Sequence, residues 1–227
     1  MENTKKSFGQ SFLTGLFFKN PAFSLYLGLA VAVLGTTMLE NAFVIGILVL
    51  VNLVICNVLV SLLRKNLSKA EALVFTAILS AGLVTFEMIL LKAFFPAIAD
   101  SEALYKNTLV ITFIPFLATS SLVLAKSEQA LSNDPLTSLA DSLGSGIGYL
   151  LALLLIALFR EVLATGEISF TTGDNVQLVI HLFDIKMSAF GKAFGGFFFL
   201  GIFAGLHNLI LTKVEVCQTK ALSKKEA

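Results

Sequence analysis

Residues 42–63 read AFVIGILVLVNLVICNVLVSLL, an apolar run without a single Asp, Glu, Lys or Arg. At 1.5 Å rise per residue, about 20 such residues cross the hydrocarbon core of a bilayer as one helix. The run is apolar all round rather than along one stripe, so lipid or protein, not water, surrounds it. Backbone groups inside a bilayer must be satisfied within their own segment, which makes strands unlikely in the spans.

Working outward from that run, five further apolar blocks cover residues 23–39, 70–94, 109–125, 147–163 and 190–211, joined by polar connections. The chain of 227 residues is 56% hydrophobic and 14% charged with a mean hydropathy of +0.88, against ~25% charge in an ordinary soluble domain. The expected fold class is an all-α membrane protein with six transmembrane helices. A net charge of +1 leaves no basic excess for nucleic acid. Cys56, in an apolar block, and Cys217, in the polar tail, read as free thiols rather than as a disulfide or a metal-binding pair. The first apolar block follows Lys5 and Lys6 without a small-residue cleavage site, and is expected to stay in the mature protein.

Lys and Arg set the orientation. With a cytoplasmic N-terminus, eleven of the sixteen fall on the cytoplasmic side, which predicts a multi-pass protein of the cell (inner) membrane with both termini cytoplasmic. Ahead of the first block, Phe8, Phe12, Leu13, Leu16 and Phe17 recur at helical spacing beside Ser7, Gln10, Ser11 and Thr14. That pattern predicts an N-terminal interfacial helix within residues 1–22, with Pro21 turning the chain into the bilayer. The alternative is an extension of the first span. Dividing the remainder at the Pro96 loop gives two three-helix halves, 23–95 and 96–212, and a polar tail, 213–227. Three spans per half force opposite orientations, the arithmetic of an inverted 3+3 repeat. The first span of each half holds weak points: Gly28, Gly35, Thr36 and Thr37 in one, and Ile114, Pro115, Thr119, Ser120 and Ser121 in the other. Pro115 predicts a kink or break.

Three features stand out chemically. Glu87 lies inside an apolar block, where an acid marks an ion path or a paired structural site, with Lys92 or the interface as its structural partner. Gly144-Ser145-Gly146-Ile147-Gly148, preceded by Asp141, reads either as close helix packing or as an opened backbone at a cofactor or ion path. It lacks the strand and lysine of a nucleotide-binding loop. Arg160 and Glu161 close the fifth block as an anchor, with Arg160 free to snorkel. His181 and His207 have no ligand partners at metal spacing, and no catalytic motif is present, so neither catalytic residues nor a protein metal site are expected.

Several stretches together resemble the integral membrane subunits of the Rnf and Nqr redox-driven ion pumps, most like the E subunit of Rnf and the D subunit of Nqr. They are Gly15-Leu16-Phe17-Phe18-Lys19-Asn20-Pro21-Ala22, Tyr26-Leu27-Gly28-Leu29, Ser61-Leu62-Leu63-Arg64-Lys65, residues 138–149 and Phe159-Arg160-Glu161-Val162-Leu163. Glu87-Met88-Ile89-Leu90 and Lys92-Ala93-Phe94-Phe95-Pro96 look like the sister branch, the A subunit of Rnf and the E subunit of Nqr. The resemblance implies a six-helix inverted repeat paired with a sister membrane subunit of opposite orientation, beside other Rnf/Nqr-type subunits, in a complex that couples electron transfer to Na⁺ or H⁺ movement. It also implies a two-iron two-sulfur cluster between the pair, held by one cysteine from each half. Here those two positions are Ala30 and Ser121, so the family's cysteine ligands are absent. An ion path would use Glu87 and Asp141, with Gly144, Gly146 and Gly148 lining it.

A second reading suits the same size and helix number: a small-molecule transporter, or a membrane substrate-binding subunit resembling the S component of an energy-coupling-factor importer.

Overall fold

The computed structural model describes residues 8–18, 20–94, 114–172, 176–182 and 186–223. In chain order these form α1 (Phe8–Leu13), continued by a π-helical turn over Thr14–Phe18; α2 (Leu29–Leu34); α3 (Leu39–Leu63); α4 (Lys69–Phe94); a 3-10 turn (Ile114–Leu117); α5 (Ser121–Ser132); α6 (Pro135–Thr165); the strands β1 (Glu167–Thr172) and β2 (Val176–His181); and α7 (Ala193–Ser223). Four helices are long and apolar enough to cross a membrane: α3, α4, α6 and Ala193–Val214 of α7.

Local sequence explains their ends. Ser68 and Glu71 form a capping box at the start of α4: the Ser68 N–H donates to Glu71 Oε2 at 2.7 Å, and the Glu71 N–H to Ser68 Oγ at 3.4 Å. Pro135 opens α6 behind Asp134, and Gly166, at φ +74°, ends it in the left-handed conformation. α6 starts well before the expected 147, because its small residues Ser138, Ala140, Ser142, Gly144, Ser145 and Gly146 are all buried and let neighbours close in.

α6 is the axis of the bundle, in contact with α1, α3, α5 and α7. The main core joins Ile45, Val49 and Leu53 of α3 to Leu153 and Ile156 of α6, with Leu117 and Leu122 from the segment before and into α5. α4 turns a buried stripe inward, Ala72, Thr76, Ser80, Val84, Glu87 and Leu91, at helical spacing.

The expected spans 23–39 and 109–125 are not continuous helices. The first is a series of turns through Tyr26 (φ +53°) and Gly28 (φ +69°), followed by the six-residue α2. The second breaks after the 3-10 turn that holds Pro115, then resumes as α5 and runs on to Ser132; residues 109–113 lie outside the described residues. Pro115 removes a backbone donor, and the chain breaks within a few residues of it.

One further expectation is corrected. The fold is not purely α: an antiparallel hairpin pairs Glu167 with His181 through to Thr172 with Val176, in the connection after α6. The N-terminal helix forms, and it runs beside α6. A Cβ added to Gly144 would collide with the Phe12 carbonyl oxygen, and one on Gly148 would meet the Leu16 oxygen at 2.8 Å. One step of four residues on α1 thus matches one of four on α6, a parallel backbone contact that glycine permits.

Arg160 is fully buried, not snorkelling. Its guanidinium donates to the Val33 oxygen (2.6 Å) and Thr36 Oγ1 (2.7 Å) at the end of α2, and to the Lys192 oxygen (2.9 Å) ahead of α7. Longer bonds reach the oxygens of Phe190 (3.2 Å) and Gly191 (3.3 Å). A cation there complements the negative end of the α2 dipole and fills carbonyls that a helix end leaves open. The adjacent Glu161 carboxylate accepts the Leu39 N–H at 2.7 Å, capping α3.

This packing can be tested at two places. Gly144→Val overpacks the α1 contact and lowers stability by about 1–3 kcal/mol, whereas Gly82→Ala, with open space at its Cβ, is neutral or stabilising by up to ~1 kcal/mol; thermal unfolding in detergent distinguishes them, and equal effects would refute the contact. Arg160→Leu strands several buried carbonyls at ~1–3 kcal/mol each and collapses the yield of folded protein, while Arg160→Lys, without the planar fork, recovers only part of it.

Candidate functional site

The two broken segments meet. Asn20 holds the first one open: its Oδ1 accepts the N–H groups of Ala22 (3.0 Å) and Phe23 (3.3 Å), while its Nδ2 donates to the Gly148 oxygen of α6 at 2.9 Å. The chain then turns to Gly28, whose N–H donates to Ser121 Oγ at 2.9 Å and whose carbonyl accepts the Tyr149 hydroxyl at 2.7 Å. Gly28 stands immediately before α2 and Ser121 begins α5, so the starts of both short helices lie side by side. Ala30, Thr119 and Ser121 are exposed on the protein surface there, beside the apolar Tyr26 and Phe116.

The donor set at this junction does not fit an iron–sulfur cluster. Ala30 and Ser121 carry no sulfur, and Cys56 is buried in α3, where its thiol donates to Asn52 Oδ1 at 3.1 Å. Among the described residues no three His, Cys, Asp or Glu side chains gather as a metal site.

The two expected acids stand apart. Asp141 accepts Lys126 Nζ at 2.9 Å, linking α6 to α5 with the Lys126 side chain almost wholly enclosed. Nearby, Lys69 at the start of α4 pairs with Glu128 at 3.0 Å, and Arg64 with Asp134 at 2.6 Å. That level of the bundle is the start of α4, and Glu87 sits about five turns further along it, roughly 27 Å from Lys69 along the helix axis. Glu87 is 6% exposed, and neither carboxylate oxygen has a hydrogen-bond partner among the described residues. Its neighbours in sequence, Val84 and Met88, line a cavity of about 190 Å³ with Ala81, Thr85, Pro115 and Ala118. Gly144 and Gly148 face the α1 segment, and Gly146 faces Leu50 of α3.

Between the acids lies a set of buried polar groups that hydropathy hides. Asn57 Nδ2 donates to Ser142 Oγ at 2.8 Å, beside Asp141. One residue before Asn57, Cys56 is tied to Asn52, whose Nδ2 donates to Ser80 Oγ on α4 at 2.9 Å. Ser80 shares the inward stripe with Glu87. Amides inside an apolar span are costly and signal a shared interior surface; Asn52 and Asn57 carry that signal in the sequence. Lys126 and Tyr149 carry none, because their partners are fixed only by the fold.

The family model described as Rnf-Nqr subunit, membrane protein, matches residues 8–204. Among curated relatives, the E subunit of the ion-translocating oxidoreductase complex of Methanosarcina acetivorans is 35% identical over 158 residues, covering 69% of this chain and 70% of the relative. The E subunit of the Na(+)-translocating ferredoxin:NAD(+) oxidoreductase complex of Acetobacterium woodii is 29% identical, covering 89% and 96%. The D subunit of the Na(+)-translocating NADH-quinone reductase of Photobacterium profundum is 31% identical, covering 66% and 68%. These relatives favour the reading as a redox-complex subunit over that as an importer's capture component, and a match that extends from α1 well into α7 makes this chain a member of the Rnf-Nqr family of membrane subunits.

Proposed function

We propose that this chain is a membrane subunit of an Rnf/Nqr-type electron-transport complex, in which the buried polar groups between Asp141 and Glu87 form part of the route of Na⁺ or H⁺. The family match over most of the chain carries the first part. The buried Glu87 carboxylate, without a hydrogen-bond partner among the described residues, carries the second. An anion desolvated without a partner is unstable until a proton or metal cation joins it.

The same reading makes the chain a six-pass inverted repeat with halves 23–95 and 96–212, the α1 segment joining the first half. Support comes from the two short helices that start from one junction, each followed by two membrane-length helices. Arg64, Lys69 and Lys126 gather at one end of the bundle, which fits a cytoplasmic side there and both termini on it, in a cell (inner) membrane. The exposed strip of Ala30, Thr119 and Ser121 is the surface for a sister subunit of opposite orientation, with other complex subunits assembling around the pair.

Purification from native membranes in mild detergent should recover Rnf/Nqr-type partner subunits; recovery with an ATP-driven importer module instead would refute the assignment. In vesicles that hold the complex, Glu87→Gln removes a charged ligand worth ~1.5–3 kcal/mol and slows redox-driven Na⁺ or H⁺ uptake by roughly tenfold or more. Glu71→Gln, on an exposed first turn of α4, leaves it unchanged. Normal uptake by the Glu87 variant would remove this residue from the route.

A further inference from the structure

We propose that this chain contributes no ligand to an iron–sulfur cluster, and that two hydrogen bonds at Gly28, its N–H to Ser121 and the Tyr149 hydroxyl to its carbonyl, tie the two broken segments where such a cluster would sit. The proposal rests on the reading above, since membership of the family is what implies a cluster at Ala30 and Ser121.

Thiolates hold these clusters, with imidazole as the occasional replacement. Ala30 presents a methyl group and has no lone pair. The Ser121 hydroxyl is a neutral donor and acceptor, and it already accepts the Gly28 N–H at 2.9 Å. The chain has two cysteines and two histidines, and none belongs to the junction. Cys56 is enclosed in α3 and bonded to Asn52; Cys217 belongs to the far end of α7. His181 ends β2, where its Nδ1 faces Glu167 at 3.1 Å, and His207 Nε2 lies 2.8 Å from the Phe17 oxygen.

Gly28 is closely packed as well as bonded. Tyr149 is completely buried and its hydroxyl donates to the Gly28 carbonyl at 2.7 Å. A Cβ built on Gly28 would meet that hydroxyl at 2.7 Å and the ring carbons at 3.0 and 3.1 Å. Gly28 also takes the left-handed backbone that side chains resist. Both of its backbone groups therefore have partners from other helices, Ser121 of α5 and Tyr149 of α6, and the two broken segments are tied without metal. Electrons that pass through the complex must then use redox groups bound by other subunits.

The complex is purified anaerobically in mild detergent as wild type, as Ser121→Ala, as Ser121→Thr and with both cysteines replaced (Cys56→Ala with Cys217→Ala). Iron and acid-labile sulfide are counted per complex, thermal midpoints are recorded and copurifying subunits are identified. The expected result is the same iron and sulfide content in all four, with a midpoint several degrees lower for Ser121→Ala and restored in Ser121→Thr. Loss of about two iron and two sulfide in Ser121→Ala or in the cysteine-free variant would overturn the proposal, and an unshifted midpoint for Ser121→Ala would overturn the hydrogen-bonded closure. The copurifying subunits report separately on the family reading: if they are missing, that reading fails, whereas a change of iron content between variants of the intact complex bears on the ligands alone.

Discussion

A backbone interrupted inside an apolar bundle must find a partner for each freed N–H and C=O, and this fold is arranged around that requirement. α2 has only six residues, too few to satisfy much of its own backbone. Its start is tied by Ser121 and Tyr149, and its end by Arg160. Tyr149 and Arg160 both come from α6, about three turns apart and hence on nearly one face. One long helix thus serves both ends of a short one. The arrangement tolerates little change, because an unpaired carbonyl or a stranded guanidinium in this setting costs more than the bond contributed.

The same helix guides the chain before and after α2. Phe12 lies at Gly144, Leu16 and Asn20 at Gly148, Gly28 at Tyr149, Val33 at Arg160 and Leu39 at Glu161. The order of these contacts never reverses, so the described residues between 12 and 39 track α6 from its glycine-rich part to its charged end. That continuity explains why the first segment need not be a regular helix. Where a spanning helix satisfies itself, this one borrows its partners from α6, with Gly144 and Gly148 allowing the approach and Asn20 bridging the first gap.

Four membrane-length helices are legible in the sequence because an apolar block reports burial in lipid directly. Residues 42–63 fall within Leu39–Leu63, and 70–94 within Lys69–Phe94. The first dozen residues of α6 are not, because Ser138, Ser142 and Ser145 lower hydropathy while being buried against other helices. The breaks are legible as weak points, through Gly28 and Pro115, but not as a junction: composition says that a helix stops, and only the fold says what receives its loose ends. Arg160 misleads for a related reason. A charged residue near the end of an apolar block looks like an interfacial anchor, and nothing local reveals that the carbonyls of Val33 and Lys192 converge on it. Glu87 is legible as an anomaly, and the structure adds that it is buried on the same inward stripe of α4 as Ser80.

The two expected acids differ in physical standing. Asp141 has a cation at 2.9 Å, and the pair joins α5 to α6 where both helices are close to other ion pairs. Its charge is already compensated, so a mobile ion gains little there unless Lys126 first lets go. Glu87 has no such compensation among the described residues. A lone carboxylate in an interior of low polarity has the most to gain from a proton or metal cation, because the penalty of its desolvation is still outstanding. In the proposed route the two acids would therefore play unequal parts, with Asp141 held by its cation and Glu87 open to one. Asn57, Cys56, Asn52 and Ser80 lie in the interval as neutral dipoles bonded to one another or to Ser142. The stripe of α4 that carries Glu87 also borders the second broken segment, where Val84 and Met88 line one cavity with Pro115 and Ala118, so the interior of the bundle and the break before α5 share a wall.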